Sequence, residues 1–302
     1  MYHIAFASGN NFIKYAGVVI ASILVNSKQN EQLFFHVLDG GISETNKQKI
    51  LSLKKLKKFE IEFVPIDFTR LKDCPLGYSA PEALVMYARI CIPSLLPKID
   101  KLLCLDCDMV VTQSLEELFN IDIENYYVAA VEDSVSSRWA ARLNFSDKKL
   151  YFNAGMLLIN CKKWRKENIE QKALDYIKTN KAKLAPLHDQ DVYNALFVGK
   201  VKFLSKQFNL QYHPSYGKSR GADYSDMQEA INSPVIIHYA SPDKPWFIFS
   251  RHPFRTEYFK YLKLTPWKNE KYPWREQVHI LARPFRVILY WQARKIKNLK
   301  NG

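Results

Sequence analysis

The chain has 302 residues, 47% of them hydrophobic and 14% aromatic, enough to bury one large α/β core or two modest ones and too apolar for a disordered chain. Its formal net charge of +14 favours a polyanionic partner: nucleic acid, an anionic membrane surface or a phosphate-bearing substrate. The five cysteines, Cys74, Cys91, Cys104, Cys107 and Cys161, form no zinc quartet, and together with a start that lacks a secretory pattern they lead us to expect a cytoplasmic protein with no membrane-spanning helix.

His3 to Ala7 reads as a strand, and Ile13, Ala16, Val19, Ile20 and Ile23 share one helical face, so the chain opens with a βα unit. Leu33 to Leu38 reads as a second strand, Ser43 as the cap of a helix over Thr45 to Lys58, and Glu60 to Ile66 as a third strand. Ala83, Tyr87 and Ile90 make a further helical stripe that Pro93 ends or kinks, ahead of the apolar run Leu102 to Leu105. Tyr126 to Val131 and Tyr151 to Asn160 then read as strands, Ile169 to Thr179 and Val192 to Val198 as helical, and Val235 to His238 as one more short strand. Repeated β-α-β alternation predicts a Rossmann-like α/β domain around a mostly parallel mixed sheet. From Thr265 and Pro266 onward the chain turns rich in Trp, Tyr and Arg, with no acidic residue after Glu276. Residues 1–264 are therefore expected to form the catalytic domain, and 265–302 a basic, aromatic appendage.

Four segments could carry chemistry. Leu105-Asp106-Cys107-Asp108 puts two carboxylates at i and i+2 directly after a buried strand, where parallel sheets place ligands and where oxygen ligands suit a hard divalent cation. Acids at strand ends also cap turns, so the triplet alone decides little. Ile236-Ile237-His238 runs into a loop carrying Ser241 and Lys244; the imidazole could complete a metal site, favouring Mn²⁺ over Mg²⁺, and the ammonium could hold a phosphate oxygen. Pro186-Leu187-His188-Asp189-Gln190-Asp191 precedes a helical stretch, where Asp189 or Asp191 could equally be a cap. Tyr151-Phe152-Asn153-Ala154-Gly155-Met156 carries small residues that permit close approach to backbone.

In this order the four segments, joined by Phe35 to Ser43, Tyr87-Ala88-Arg89 and Leu158 to Trp164, resemble glycosyltransferase family 8, which includes lipooligosaccharide galactosyltransferases, lipopolysaccharide glucosyltransferases and glycogenin. The resemblance runs from residue 1 to about residue 265, and it implies a GT-A fold and a retaining enzyme that moves galactose or glucose from a UDP-sugar to a saccharide acceptor with an α-linkage. By it Asp106, Asp108 and His238 would bind Mn²⁺, with Cys107 between the two acids. Arg89, Asn153, Ala154, Gly155, Asp189 and Gln190 would touch the donor sugar, Lys244 the diphosphate, and Asp133 the acceptor side. Gln190, an amide, is a poor nucleophile, which favours same-face attack with Gln190 as electrostatic support. Two departures stand out. After the first strand the chain reads Ala7-Ser8-Gly9-Asn10-Asn11-Phe12, without the family's usual acid, so Asn10 or Asn11 would read the uracil ring; and Ser241 stands where the family tends to have Gly.

Paired aspartates also serve nucleotidyl transfer, which would release pyrophosphate instead of UDP. The basic charge raises nucleic-acid binding as a further reading, but no RNP-like or zinc-finger pattern accompanies it, and no nucleic-acid partner is expected. The segment from Arg283 to Lys300 forms an imperfect amphipathic helix on paper, with Phe285, Ile288, Leu289, Ile296 and Leu299 on one side. It is expected to lie on an anionic membrane at the inner face of the cytoplasmic membrane.

Overall fold

A computed structural model describes residues 1–270 apart from 76–79, 146, 148–149, 182–183, 185–188, 215–220 and 223. The basic tail beyond Glu270, and Pro186, Leu187 and His188 of the third motif, lie outside the described residues. Seven strands form one sheet in the order β3-β2-β1-β4-β7-β6-β8: β1 (Tyr2–Ser8), β2 (Leu33–Asp39), β3 (Glu60–Pro65), β4 (Lys101–Leu105), β6 (Val128–Glu132), β7 (Phe152–Asn160) and β8 (Val201–Phe203). Only β7 runs against the others, pairing antiparallel with both β4 and β6. β5 (Met109–Val111) and β9 (Ile236–His238) form a separate antiparallel pair.

Alternation along the strands sends residues to two cores. Ile4 and Phe6 face one core, built with the helix Ile13–Asn26. Ala5, with Cys104 and Leu157, faces the other, built with Tyr87, Trp164 and Phe197. A sheet covered on both faces explains why all nine residues of β7 are buried. Gly17 lies under the indole of Trp267, where a Cβ would sit 2.4 Å from the ring, so the chain just past residue 264 packs on this first helix.

Most predicted elements appear within a residue or two of their expected bounds. The helix predicted over 45–58 stops at Leu51 and continues as a 3₁₀ turn, Ser52–Lys55; only Ile50 and Leu53 are buried there, and the lysines that follow offer no apolar face. The break expected at Pro93 comes earlier: helix Ala80–Tyr87 tightens to a 3₁₀ turn at Ala88–Cys91, and Pro93 sits in the first turn of the short helix Ile92–Leu95, where a missing N–H costs nothing. The helix expected at Val192 begins at Asp189.

Chain order β1, β2, β3 proceeds outward on one side of β1, and β4 then returns to its other side. The sheet therefore has a topological switch point between β1 and β4, at whose carboxyl ends α/β proteins bind ligands. Gly9 follows β1, and Asp106 follows β4.

Candidate active site

Asp106 is half-buried beyond the end of β4, its N–H donating to the Gly155 carbonyl at 2.7 Å. Three residues later the chain enters β5, and the register of β5 against β9 pairs Met109 with His238. This pairing, reinforced by Tyr239 N–H on the Asp108 carbonyl at 2.9 Å, carries His238 across 130 residues of sequence to the two aspartates. Ligand atoms of Asp106, Asp108 and His238 all lie within 4.8 Å of one another, the one such group among the described residues.

Each acid has one oxygen held and one free to converge. Arg89 Nη1 donates to Asp106 Oδ1 at 2.6 Å, leaving Oδ2 at 3.8 Å from His238 Nε2. Lys244 Nζ donates to Asp108 Oδ2 at 2.5 Å, leaving Oδ1 at 3.4 Å from the same nitrogen. Two hard oxygens and one imidazole nitrogen suit a divalent metal ion. The electrostatics agree. Burial pushes the Asp106 carboxyl up against the pull of Arg89, with the Asp108 charge adding to the rise. For Asp108 burial also opposes ionisation, but the Lys244 ammonium is the strongest of the opposing groups, and the carboxyl is held well below its usual range. Two like charges kept this close are relieved by a bound cation. Gly155 makes the packing possible: a Cβ there would lie 2.4 Å from His238 Cε1 and 2.9 Å from both Asn153 Oδ1 and Asp106 Oδ2. The space its hydrogen leaves is taken by the ligand side chains themselves.

On one side of this cluster a cavity of about 220 Å³ is lined by Ala7, Ser8, Gly9, Cys107, Lys244 and both aspartates, among others. It adjoins a second of about 390 Å³ bounded by Gly9, Asn11, Phe12, Gly40 and Phe68, with Phe12 and Phe68 both exposed. Together they make a cleft from Asp106 and Asp108 to two aromatic rings. A larger cavity, about 860 Å³, opens between Met1, Glu31 and Lys58 at the opposite end of the strands, far from these groups. Asn10 and Asn11 both border the second cavity, and Asn10 Oδ1 accepts from Ser43 N and Asn46 Nδ2, each at 2.9 Å. Ser241 is buried, its hydroxyl turned back onto the Asp243 carbonyl.

On the other side lies a buried polar cluster. The pairing of β6 with β7 jumps between Ala129 and Val131, which brings Val131 opposite Asn153 and Asp133 beside it. Asn153 Nδ2 donates to Asp133 Oδ2 at 3.1 Å, and Gln190 Nε2 to the same oxygen at 3.0 Å. Gln190 Oε1 accepts from Ala154 N at 2.9 Å and Asn153 Nδ2 at 3.3 Å, and Nε2 also reaches the Tyr151 hydroxyl at 3.3 Å. All four hydrogen-bonding positions of the amide are thus engaged. Asp189, fully buried, takes Arg89 in a two-pronged pair at 2.8 Å on each oxygen. Burial depresses the charge of Arg89, but Asp189 and Asp106 more than restore it. Burial pushes the Asp133 carboxyl up, against its three hydrogen-bond donors.

The structure thus gathers Arg89, Asp106, Asp108, Asp133, Asn153, Gly155, Asp189, Gln190, His238 and Lys244 around one centre, with Ala7, Cys107 and Asn11 along the cleft. Asn194, Asn209, Tyr151 and Asp191 escaped sequence reasoning as site residues. Asn194 clamps both the N–H and the carbonyl of Phe152 at 2.8 Å, fastening the helix Asp189–Leu196 to the start of β7; its spacing of four from Gln190 was the available signal. All five cysteines are free thiols, and among the described residues no helix is long and apolar enough to cross a membrane.

Residues 3–248 match the model for glycosyl transferase family 8. The chain is 31% identical over 281 residues to General stress protein A of Bacillus subtilis, covering 88% of this chain and 95% of that protein. It is 30% identical over 280 residues to lipopolysaccharide 1,3-galactosyltransferase of Salmonella typhimurium, covering 89% and 80%. The crystal structure of the galactosyltransferase LgtC in complex with donor and acceptor sugar analogs aligns with a TM-score of 0.74 at 27% identity, over 91% of this chain and 99% of that one. The chain therefore belongs to glycosyl transferase family 8 and is a glycosyltransferase, an enzyme that carries a sugar from a donor to a saccharide acceptor.

Proposed function

We propose that the enzyme transfers galactose or glucose from a UDP-sugar with retention of configuration, using Mn²⁺ held by Asp106, Asp108 and His238, with Mg²⁺ as the alternative. The observation that carries this reading is the position of the three ligands between an aromatic-rimmed cleft and a buried cluster of amides and carboxylates. The cleft suits a flat base between Phe12 and Phe68, with the diphosphate reaching Lys244, whose ammonium already lies against Asp108. A bound Mn²⁺ would neutralise charge gathering on the departing diphosphate.

In this reading Asn153, Ala154, Gln190 and the Arg89–Asp189 pair would meet the hexose, and Asp133 the acceptor hydroxyl. A double displacement needs a carboxylate free to attack. Asp189 is taken by Arg89, Asp133 by two amides and a backbone N–H, and Asp191 by the Tyr151 hydroxyl at 2.8 Å and Arg142 at 3.0 Å. This engagement supports same-face attack, with Gln190 as fixed electrostatic support and the leaving phosphate as base. The acceptor we infer is a lipopolysaccharide- or lipooligosaccharide-type saccharide, in line with the names of the Salmonella relative and of lipopolysaccharide 1,2-glucosyltransferase of Escherichia coli, 28% identical over 296 residues. A net charge of +14 and the basic tail support work at an anionic membrane surface, at the inner face of the cytoplasmic membrane.

The test is incubation with UDP-galactose or UDP-glucose, Mn²⁺ or Mg²⁺, and a lipooligosaccharide-derived acceptor, with UDP release and product anomer followed by NMR. An α-linked product and UDP are expected. Pyrophosphate release would favour nucleotidyl transfer, and a β-linked product would sink retention.

A further inference from the structure

We propose that Asn209 is a positioning residue that sets the tautomer of His238 and so presents Nε2, with its lone pair, to the cation site. The proposal rests on the reading of Asp106, Asp108 and His238 as that site.

The polarity of the chain of contacts starts from a backbone group that can only donate. Gly155 N–H meets the Asn153 side chain at 2.9 Å, so the atom facing it is the amide oxygen. Asn209 approaches that same oxygen at 3.0 Å, and an acceptor there requires Asn209 to present its NH₂. The oxygen of Asn209 must then face the other way, and it meets His238 Nδ1 at 2.9 Å. An amide oxygen carries no hydrogen, so Nδ1 must be the protonated nitrogen. Nε2, the nitrogen that looks onto Asp106 and Asp108, is left as the one able to bind a metal ion.

A second backbone donor confirms the direction. Ala154 N–H fixes Gln190 Oε1, and Asn153 Nδ2 donates to that oxygen and to Asp133, which is consistent only with the same orientation of Asn153. Asn209 is fully buried, where water cannot substitute for either partner. Its place is built by backbone: Leu210 bridges to Ile237 beside β9, with His238 N–H on the Leu210 carbonyl at 3.0 Å, so the residue before Leu210 is set against the imidazole. No ligand need touch Asn209 for it to act.

The experiment uses the full chain. Imidazole ¹⁵N spectra of metal-free protein at about pH 8, above the ordinary histidine range, report the tautomer of His238, and Mn²⁺ titration followed by electron paramagnetic resonance reports affinity. Wild type should show Nδ1–H. Asn209→Leu, of similar size, should lose that preference and bind Mn²⁺ about 10- to 100-fold more weakly. Asn209→Asp keeps the acceptor and should keep both the tautomer and the affinity, while its second oxygen opposes Asn153 and lowers the melting temperature. An Nε2–H tautomer in wild type overturns the proposal. So does an Asn209→Leu protein with wild-type affinity; if that variant fails to fold, loss of the Nδ1–H signal in Asn209→Asp overturns it instead. Wild type that shows Nδ1–H but binds neither Mn²⁺ nor Mg²⁺ would defeat the cation reading and leave the tautomer assignment standing.

Discussion

Replacing Gly155 by Ala should damage the site more than the fold. The position lies within β7 with no left-handed backbone requirement, so an alanine is sterically allowed by its own dihedrals and restricts the unfolded chain, a gain of about 0.4–1 kcal/mol. Against this stands overpacking of about 1–3 kcal/mol, because the new Cβ would lie 2.4 Å from His238 Cε1 and 2.9 Å from Asn153 Oδ1 and Asp106 Oδ2. β7 is pinned by β4, with Leu105 opposite Met156 and Asp106 N–H on the Gly155 carbonyl, so the imidazole yields first. A retreat of roughly 0.6–1 Å costs on the order of 10- to 100-fold in a preorganised site. The net loss of stability should lie between zero and about 2.6 kcal/mol, the difference of those two ranges, while Mn²⁺ affinity and sugar transfer each fall at least about tenfold. Thermal unfolding, Mn²⁺ titration and initial rates on one preparation separate the two effects. A Gly155→Ala enzyme with wild-type metal affinity and rate would show that the crowding seen around Gly155 is relieved elsewhere.

Asp108→Asn should abolish transfer, by at least about 100-fold, with an unchanged circular dichroism spectrum, and wild type should stop in excess chelator; full turnover in chelator would refute a metal role. Asp189→Asn leaves the buried Arg89 guanidinium short of a charge partner and should cost about 3–5 kcal/mol in urea unfolding; an unchanged midpoint would mean that Asp106 alone neutralises Arg89. His252 is buried and held down to about 3, chiefly by burial and then by His213; it stays neutral in the folded state, so the stability it contributes is present above about pH 6.5 and is lost as pH falls toward 3. Between pH 6.5 and 5 that amounts to about 2 kcal/mol, so His252→Asn should flatten the acid limb of the stability curve by that amount, and equal slopes would refute the assignment. Deleting residues 277–302 should release the protein from anionic liposomes in a sedimentation assay while transfer to a short acceptor persists; equal liposome binding by both forms would refute the anchor.

The parts of this enzyme legible in its sequence are those whose signal is local. β1, β2, β3, β4 and β7 announce themselves as apolar runs separated by helical periodicity, and a D-x-D triplet at the end of such a run already lies where a parallel sheet puts ligands. β5 and β8 did not: three residues carry no period, and neither offers the β-branched run Val235-Ile236-Ile237 that marked the equally short β9. Yet it is β5, paired with β9, that brings His238 to Asp106 and Asp108, so residue chemistry and resemblance could suggest the candidate ligand set but not the reason for its assembly. The supporting residues were hidden by a different cause. A carboxylate or an imidazole after a strand is chemically conspicuous, whereas Asn209 reads as one amide between Phe208 and Leu210, with nothing local to separate it from a turn residue. What gives it a role is the polarity of a hydrogen-bond chain running from Gly155 through Asn153 to His238, a property of three-dimensional register that no window of sequence contains. The same holds for Arg89 and Asp189, read separately as sugar contacts and found locked together at 2.8 Å. A buried pair of that kind stiffens its surroundings, and because Arg89 also holds Asp106, substitutions at either residue should move that carboxylate as well.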